Sequence, residues 1–446
     1  VLELAVDALV AAWLVLWALG RVEASEPLRR AWLAWIALAA WLAIQALHVV
    51  PMPIAWVAAL SPDSARMHAM AGELGVQVAT TTLSIDPEAS RVSLLKSLAY
   101  AGVFFLMLAL ATRRSRVLLL ARVLVYAAVL ETVYAVTLHL GNVTEEYFGT
   151  LLEHSDSASG TYANRNHFAG YLEMCLALGI GLLIAGLSDR KADTWRRFLQ
   201  HALEWILSPK MILRLALCVL VIGLTTTHSR MGNTAFFSSL LVAGVLGIAL
   251  SRHATRNTVL LLASLIAIDL FIVGSWFGVE KLAERLQETT VQDVQQREEP
   301  AAYAVQLIRD YAPFGSGPGT FYVAFPRYRP ATVPNFYTQT HNDYVQVASE
   351  SGVAGFAAIG LFVAAALGAA LLAQWRRRDP LMRGMSFACI MGVTSLLIHS
   401  WVDFNLQIPA NAALFMVLLA LGWVALYADR RETGEDVRHA RTRVED

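Results

Sequence analysis

The chain has 446 residues; 57% are hydrophobic, only 16% are charged, and 35 basic side chains balance 35 acidic ones. A soluble domain carries about 25% charged residues, so this composition excludes a soluble globule, and the charge balance excludes a basic nucleic-acid-binding field or an acidic disordered chain. Cys175, Cys218 and Cys389 all stand inside apolar runs, which excludes a disulfide framework or a cysteine-rich metal site.

About 20 apolar residues cross a bilayer core of about 30 Å. Eleven runs approach that length: 2–20, 31–50, 94–112, 117–140, 167–187, 211–227, 233–250, 258–277, 352–373, 384–404 and 410–428. Each must be helical, because lipid offers its backbone groups no partner. The expected fold is therefore an all-α polytopic integral membrane protein with about 11 transmembrane helices. With these spans, 22 of the 35 basic residues fall in connections on one side, among them Arg29, Arg30, Arg113, Arg114, Arg116, Arg376, Arg377 and Arg378. That side is expected to be cytoplasmic, and it includes the C-terminal tail. An odd count then leaves Val1 outside, so a twelfth helix preceding it is expected in the native protein.

Three segments interrupt the spans on the opposite side. Residues 51–93 are rich in Pro, Ser, Thr and Asp, and residues 141–166 are polar. Residues 278–351 form the longest loop; Glu280 to Tyr311 reads as polar helix broken at Pro300, followed by a glycine-rich turn at Gly315-Ser316-Gly317-Pro318-Gly319 and a cluster of aromatics and arginines. On the inner side, residues 191–206 put Trp195, Phe198, Leu199, Trp205 and Ile206 on one helical face, as an interfacial helix or one packed on the bundle would.

The polar clusters that suggest chemistry share the outer side, whereas a transporter is expected to place them near the membrane midplane. Thr227-His228-Ser229-Arg230 is a short turn that holds its arginine near two helices; an interface anchor would look the same. Arg297 lies in the long loop, eighteen residues before Gly315. In Thr340-His341-Asn342-Asp343-Tyr344, Thr340 and Asp343 have capping-box spacing, which puts His341 at the first helical position. There the helix dipole favours the neutral imidazole that a general base needs; a histidine that merely closes the helix start is the alternative. Arg165 and Asn166, beside Asn164 and His167, fit an anion site or a helix cap. Arg327 and Arg329, among Tyr322, Tyr328 and Tyr337, fit a sugar or phosphate site or an interfacial aromatic belt. His399 and Asp403 fit a structural pair, and Glu131, Glu173, Asp269, Arg122 and Arg214 sit within spans and need partners. No metal-ligand spacing, phosphate-binding loop, dinucleotide fingerprint or nucleophile elbow is present in the sequence.

In order along the chain stand Asn164-Arg165-Asn166-His167-Phe168-Ala169, Ser229-Arg230-Met231-Gly232, Arg297 before Gly315-Ser316-Gly317, His341-Asn342-Asp343-Tyr344, and Glu350-Ser351-Gly352-Val353-Ala354-Gly355. With the many-span frame and the long late loop, this set resembles the O-antigen ligase and O-antigen polymerase family over roughly residues 160–356. The chain departs from the family's habit at Arg165, where proline is common, at Ala301, where tryptophan is common, and at Met231, where glycine is common.

The resemblance implies a GT-C-like fold and a metal-independent, inverting glycosyltransferase that needs no cofactor. It implies a bacterial inner-membrane location with the active site on the periplasmic face. The donor is an undecaprenyl-diphosphate-linked oligosaccharide; the acceptor is a glycan or lipid A core; the other partners are membrane lipids, and no nucleic acid is involved. His341 corresponds to the family's base, and Arg230 and Arg297 to its diphosphate-binding arginines. Arg165, Asn166, Arg327, Arg329, Tyr337, Asn342 and Tyr344 are candidate substrate-binding residues. The expected organisation is helices 1–8 within residues 1–277, a catalytic loop at 278–351, helices 9–11 within 352–428, and a tail at 429–446. A polymerase of O-antigen or exopolysaccharide is favoured by the segment His399-Ser400-Trp401-Val402-Asp403-Phe404-Asn405. The alternatives are a ligase to lipid A core, a protein O-oligosaccharyltransferase and, from another class, a lipid-linked glycan transporter or flippase.

Overall fold

The computed structural model describes residues 2–73, 81–147, 150–153, 157–186, 209–250, 291–331 and 336–428, with a few isolated positions. Its helices in chain order are α1 (Leu2–Ala18), α2 (Glu26–Arg30), α3 (Trp32–Leu47), α4 (Ile54–Leu60), α5 (Pro62–Glu73), α6 (Pro87–Leu110) and α7 (Arg114–Leu140). Then come α8 (Arg165–Ala185), α9 (Pro209–Thr226), α10 (Arg230–Ala249), α11 (Val291–Asp310), α12 (Phe321–Ala324), α13 (Asp343–Arg376), α14 (Pro380–His399) and α15 (Pro409–Tyr427). Seven of these, α6, α7, α8, α10, α13, α14 and α15, are long and apolar enough to cross a membrane; α3 and most of α9 are shorter apolar helices. The chain is a polytopic helical membrane protein. Ten of the eleven apolar runs are helices; the run at 258–277, the segment at 191–206, Asp269 and the tail after residue 428 lie outside the described residues.

Burial sorts the spans into two layers. Along the apolar windows of α8, α14 and α15, 89%, 78% and 83% of residues are buried, against 33%, 28% and 28% along α6, α7 and α13. The first three are therefore the centre of the bundle, and the others turn apolar side chains such as Leu119, Val123 and Leu130 outward, where lipid replaces protein as the solvent. At the centre α8 and α14 approach closely enough for their backbones to meet at two glycines. A β-carbon added to Gly181 would collide with the Gly384 carbonyl, and one added to Gly384 with the Gly181 carbonyl. Small residues at a crossing allow this approach, and close backbone packing takes the place of the hydrophobic drive that lipid removes.

The connections gather at two ends. At one, Ser25 Oγ donates to Leu108 O, Arg114 pairs with Asp379 at 2.6 Å, and Arg377 donates to Ala428 O. At the other, the long loops bind each other: Ile85 N donates to Ser316 O, Ser90 Oγ to Pro318 O, Ala158 N to Thr226 O, and Asp343 N to Ser400 O. This loop end carries the candidate site.

Two departures from the sequence expectation occur here. The polar segment after α7 forms a small antiparallel hairpin, β1 (Thr144–Tyr147) with β2 (Thr150–Glu153), in the register Thr144↔Glu153. A two-stranded ribbon carries too little alternation to stand out beside apolar spans. Second, α11 runs through Pro300 without breaking. Proline removes one intrahelical donor, but the C-terminal half of α11 is fixed by Ala304 and Leu307, which share a buried cluster with Tyr311 just past its end and with Phe321 and Phe325.

The glycine-rich stretch at 315–319 is more than a turn. Gly352 interrupts α13 at φ +65°, and a β-carbon there would strike the Pro313 carbonyl. Carbonyls that the kink leaves without helical donors are met by the incoming loop: Ser316 N donates to Ser349 O at 3.0 Å and Gly317 N to Glu350 O at 2.9 Å. Glu350 Oε1 in turn accepts from Phe321 N and Gln346 Nε2. The loop thus plugs the kink, and the first two turns of α13 are aimed independently of its membrane-spanning part.

Candidate active site at the loop end

Three helix starts and the residues just before them build the site. At α8, Asn164 caps the helix by accepting from Asn166 N at 2.8 Å, which leaves Arg165 as the first helical residue. At α10, Ser229 accepts from Gly232 N, and Arg230 is the first helical residue. The first turn of α10 packs against the second and third turns of α8, because a β-carbon on Gly232 would meet Ala169 and come within 3.1 Å of Glu173 Oε1. Two positive helix ends, each topped by an arginine, therefore face the same end of the bundle, an arrangement suited to a polyanion.

At α13 the cap differs from the sequence expectation. Asn342 is the N-cap, and its side chain accepts from Tyr344 N and Val345 N. Thr340 is not half of a capping box; its hydroxyl donates to Asn342 O at 2.7 Å. His341 therefore precedes the helix, and it takes φ +54°. A non-glycine residue in the left-handed region persists only where its surroundings over-determine it. Here Thr340 N donates to Gln346 Oε1, Asn342 Nδ2 to Trp401 O, and Asp343 N to Ser400 O and Asp403 O. Asn342 and Tyr344 spend their polar atoms on this scaffold, for the Tyr344 hydroxyl donates to Leu397 O at 2.6 Å.

Phe404 connects the His341 turn to α8. Its ring meets His341 at 4.9 Å and His167 at 4.6 Å, both edge-on. Tyr337 stands on the other side of His341, with ring centroids 6.4 Å apart. Beneath Phe404 runs a buried row of acids and imidazoles. Asp403 Oδ1 lies 3.4 Å from His167 Nε2, and Asp403 Oδ2 lies 3.9 Å from His399 Nε2. His399 Nδ1 is 2.7 Å from Glu173 Oε1, and Ser395 Oγ donates to Glu173 Oε2 at 2.6 Å. Burial works against charge on Asp403, but the His167 contact and the nearby His399 outweigh it and hold that carboxyl below its ordinary value. The row was missed as a unit in the sequence. Its legible signals were the His399–Asp403 spacing and Glu173 alone within a span.

The other candidates are more dispersed. Arg297 is in the N-terminal half of α11, and its side chain lies outside the described residues. Arg327 follows α12, is exposed, and pairs with Asp63 at 3.4 Å; Arg329, half-buried, is two residues further on. Glu131, which needed a partner within its span, accepts from the backbone and hydroxyl of Thr161.

Two arginine-topped helix starts and a histidine at positive φ thus stand at the loop end of a many-span helical bundle, an arrangement suited to an anionic group. Residues 215–360, about a third of the chain, match the family model described as O-antigen ligase. That part of the chain is thus similar to an O-antigen ligase domain. No curated protein matches the chain.

Proposed function

We propose that the protein transfers or polymerises undecaprenyl-diphosphate-linked oligosaccharide on the periplasmic face of the inner membrane, with polymerisation favoured. The observation that carries this reading is that the α8 and α10 starts, bearing Arg165 and Arg230, share one end of the bundle with the His341 turn, which Phe404 joins to α8. Forked guanidinium contacts suit a diphosphate and stabilise the charge that grows as it leaves. Arg297 is the further diphosphate ligand in this reading. His341 takes the proton of the acceptor hydroxyl as its oxygen bonds to the anomeric carbon; the bond from that carbon to the diphosphate breaks, and direct displacement inverts the centre. Lipid diphosphate is a weak base, so its departure requires no general acid or metal. Asn166, Tyr337, Arg327 and Arg329 border the path of the sugars, whereas Asn342 and Tyr344 hold the base in place.

The test uses the purified chain, a synthetic undecaprenyl-diphosphate-linked oligosaccharide, and glycan, lipid A core and peptide acceptors. Glycoside formation with release of lipid diphosphate is expected, and His341→Ala or Arg230→Ala should each slow it well over ~10-fold without loss of the folded state. Normal rates in both variants would refute the assigned roles. Translocation of the lipid in vesicles with no glycoside formed would replace the enzyme by a transporter.

A further inference from the structure

The two residues that flank His341 are bound to each other across it. Thr340 Oγ1 donates to Asn342 O at 2.7 Å and accepts from Asn342 N at 3.2 Å. Thr340 N points the other way and donates to Gln346 Oε1 at 2.8 Å. Gln346 Nε2 donates to Glu350 Oε1, also at 2.8 Å and one helical turn on. The same carboxylate oxygen accepts from Phe321 N at 3.1 Å. Thr340, Gln346 and Glu350 are all buried. Phe321 begins α12 and belongs to the apolar cluster of Ala304 and Leu307 on α11. A continuous hydrogen-bonded chain therefore runs from the loop arm that carries Arg297 to the residue before His341.

The chemistry at position 346 is specific. Its two neighbours make opposite demands: the Thr340 N–H can only donate, and the ionised Glu350 carboxylate can only accept. A primary amide answers both, with its oxygen towards Thr340 and its nitrogen towards Glu350. A second carboxylate in its place would set acceptor against acceptor beside Glu350. A methionine of similar length would leave the Thr340 N–H unpaired where water does not reach, and a buried donor without a partner costs more than its bond contributed. The start of α13 has no need of this link, because Asn342 already caps it.

We propose that Gln346 is a positioning residue for His341, tying the turn that holds the imidazole to the loop arm that carries Arg297. The inference rests on the glycosyl-transfer reading and deepens it. The base and one diphosphate ligand stand on different elements, and this buried amide is what sets one against the other. Gln346 touches no reacting atom; it acts through Thr340, at a turn whose φ of +54° persists only while its surroundings enforce it.

The test exchanges the two groups. Gln346→Glu alone faces two carboxylates towards each other. Adding Glu350→Gln restores the chain with the donor on the opposite side. The new amide at 350 accepts from Phe321 N and donates to the carboxylate at 346, which still accepts from Thr340 N. With the full chain in nanodiscs, Gln346→Met and Gln346→Glu should each lower kcat about tenfold or more and leave the donor KM within about twofold. The exchanged pair should recover most of the loss. A side chain that only fills space would not respond to the exchange, so the rescue separates positioning from packing. Hydrogen–deuterium exchange gives a readout without turnover: amides of 340–342 should exchange about tenfold faster in both single variants and slow again in the exchanged pair. Normal kcat in Gln346→Met, or an exchanged pair that folds and transfers no better than Gln346→Glu, overturns the proposal. The second comparison decides even where Gln346→Met fails to fold. Opening and reclosing of 340–342 in a chain that forms no glycoside would sink the enzymatic reading and leave the buried link standing. Glycoside formation indifferent to all three variants would do the reverse.

Discussion

At the scale of single residues, the site depends on a phenylalanine. Phe404 fills the space between His341 and His167, with ring centroids 4.9 and 4.6 Å away. Each edge-to-face contact is worth about 0.5–1.5 kcal/mol beyond its buried area. Phe404→Leu keeps most of the volume and loses both contacts, so His341 gains freedom at a backbone angle that already favours escape. The expected result is a fall in kcat of between tenfold and a hundredfold, from about 1–3 kcal/mol of lost positioning, with little change in donor KM. Steady-state transfer kinetics would measure it, and an unchanged kcat would show that the ring only fills space. The sequence singled out His341, Arg230 and Arg165 by their place in an ordered set of motifs, although each residue taken alone also fits an interface anchor or a helix cap. It did not reach Phe404 or the whole row from His167 through Asp403 and His399 to Glu173, because the links from His167 to Phe404 and Asp403 and from Glu173 to His399 each span more than 200 positions, and only the His399–Asp403 spacing was legible.

At the scale of elements, hydropathy located helices, seven of them long and apolar enough to cross a membrane among the described residues, since a run of about 20 apolar residues has one stable solution in lipid. What it could not supply were the places where one element repairs another: Pro300 inside α11, the N-cap at Asn342 in place of Thr340, and the 313–317 loop that enters the kink at Gly352. His48 belongs to the same joint. It stands just past the end of α3, fully buried, with Nε2 3.0 Å from Phe314 O. Burial pushes its pKa down to about 4, with the Phe314 carbonyl opposing. The unfolded chain therefore binds a proton between pH 6.5 and 4 that the folded chain does not, so this contribution is complete above pH 6.5 and is lost as the pH falls towards 4. The loss amounts to about 1.4 kcal/mol per pH unit and on the order of 3 kcal/mol in all. His48→Gln keeps a donor for Phe314 O and does not titrate. Thermal unfolding followed from pH 7 to 4 should show a shallower acid decline in His48→Gln than in wild type. Parallel curves would mean that His48 is not what makes this joint acid-sensitive.

At the scale of the whole molecule, the zero net charge conceals a division between the two ends of the bundle. The end opposite the site holds Arg29, Arg30, Arg113, Arg114, Arg116, Arg376, Arg377, Arg378 and Arg383 within or beside its short connections. The loop end carries fewer basic groups, and several of those have local tasks: Arg66 and Arg327 pair with Asp63, and Arg91 with Glu88. Basic residues in short connections are retained on the cytoplasmic side, so the site should open on the opposite, periplasmic face, where a membrane-impermeant reagent can reach it in intact cells. Phe336 is 65% exposed beside the His341 turn, and Arg378 is exposed at the arginine-rich end. Of the native cysteines, Cys175 and Cys389 are buried, and only exposed Cys218 needs replacing, by alanine. In that background, Phe336→Cys should react with an impermeant maleimide in intact spheroplasts. Arg378→Cys should react only after the membrane is opened. The reverse pattern would turn the molecule over and place glycan transfer in the cytoplasm, and equal labelling of both before permeabilisation would remove the charge argument for its orientation.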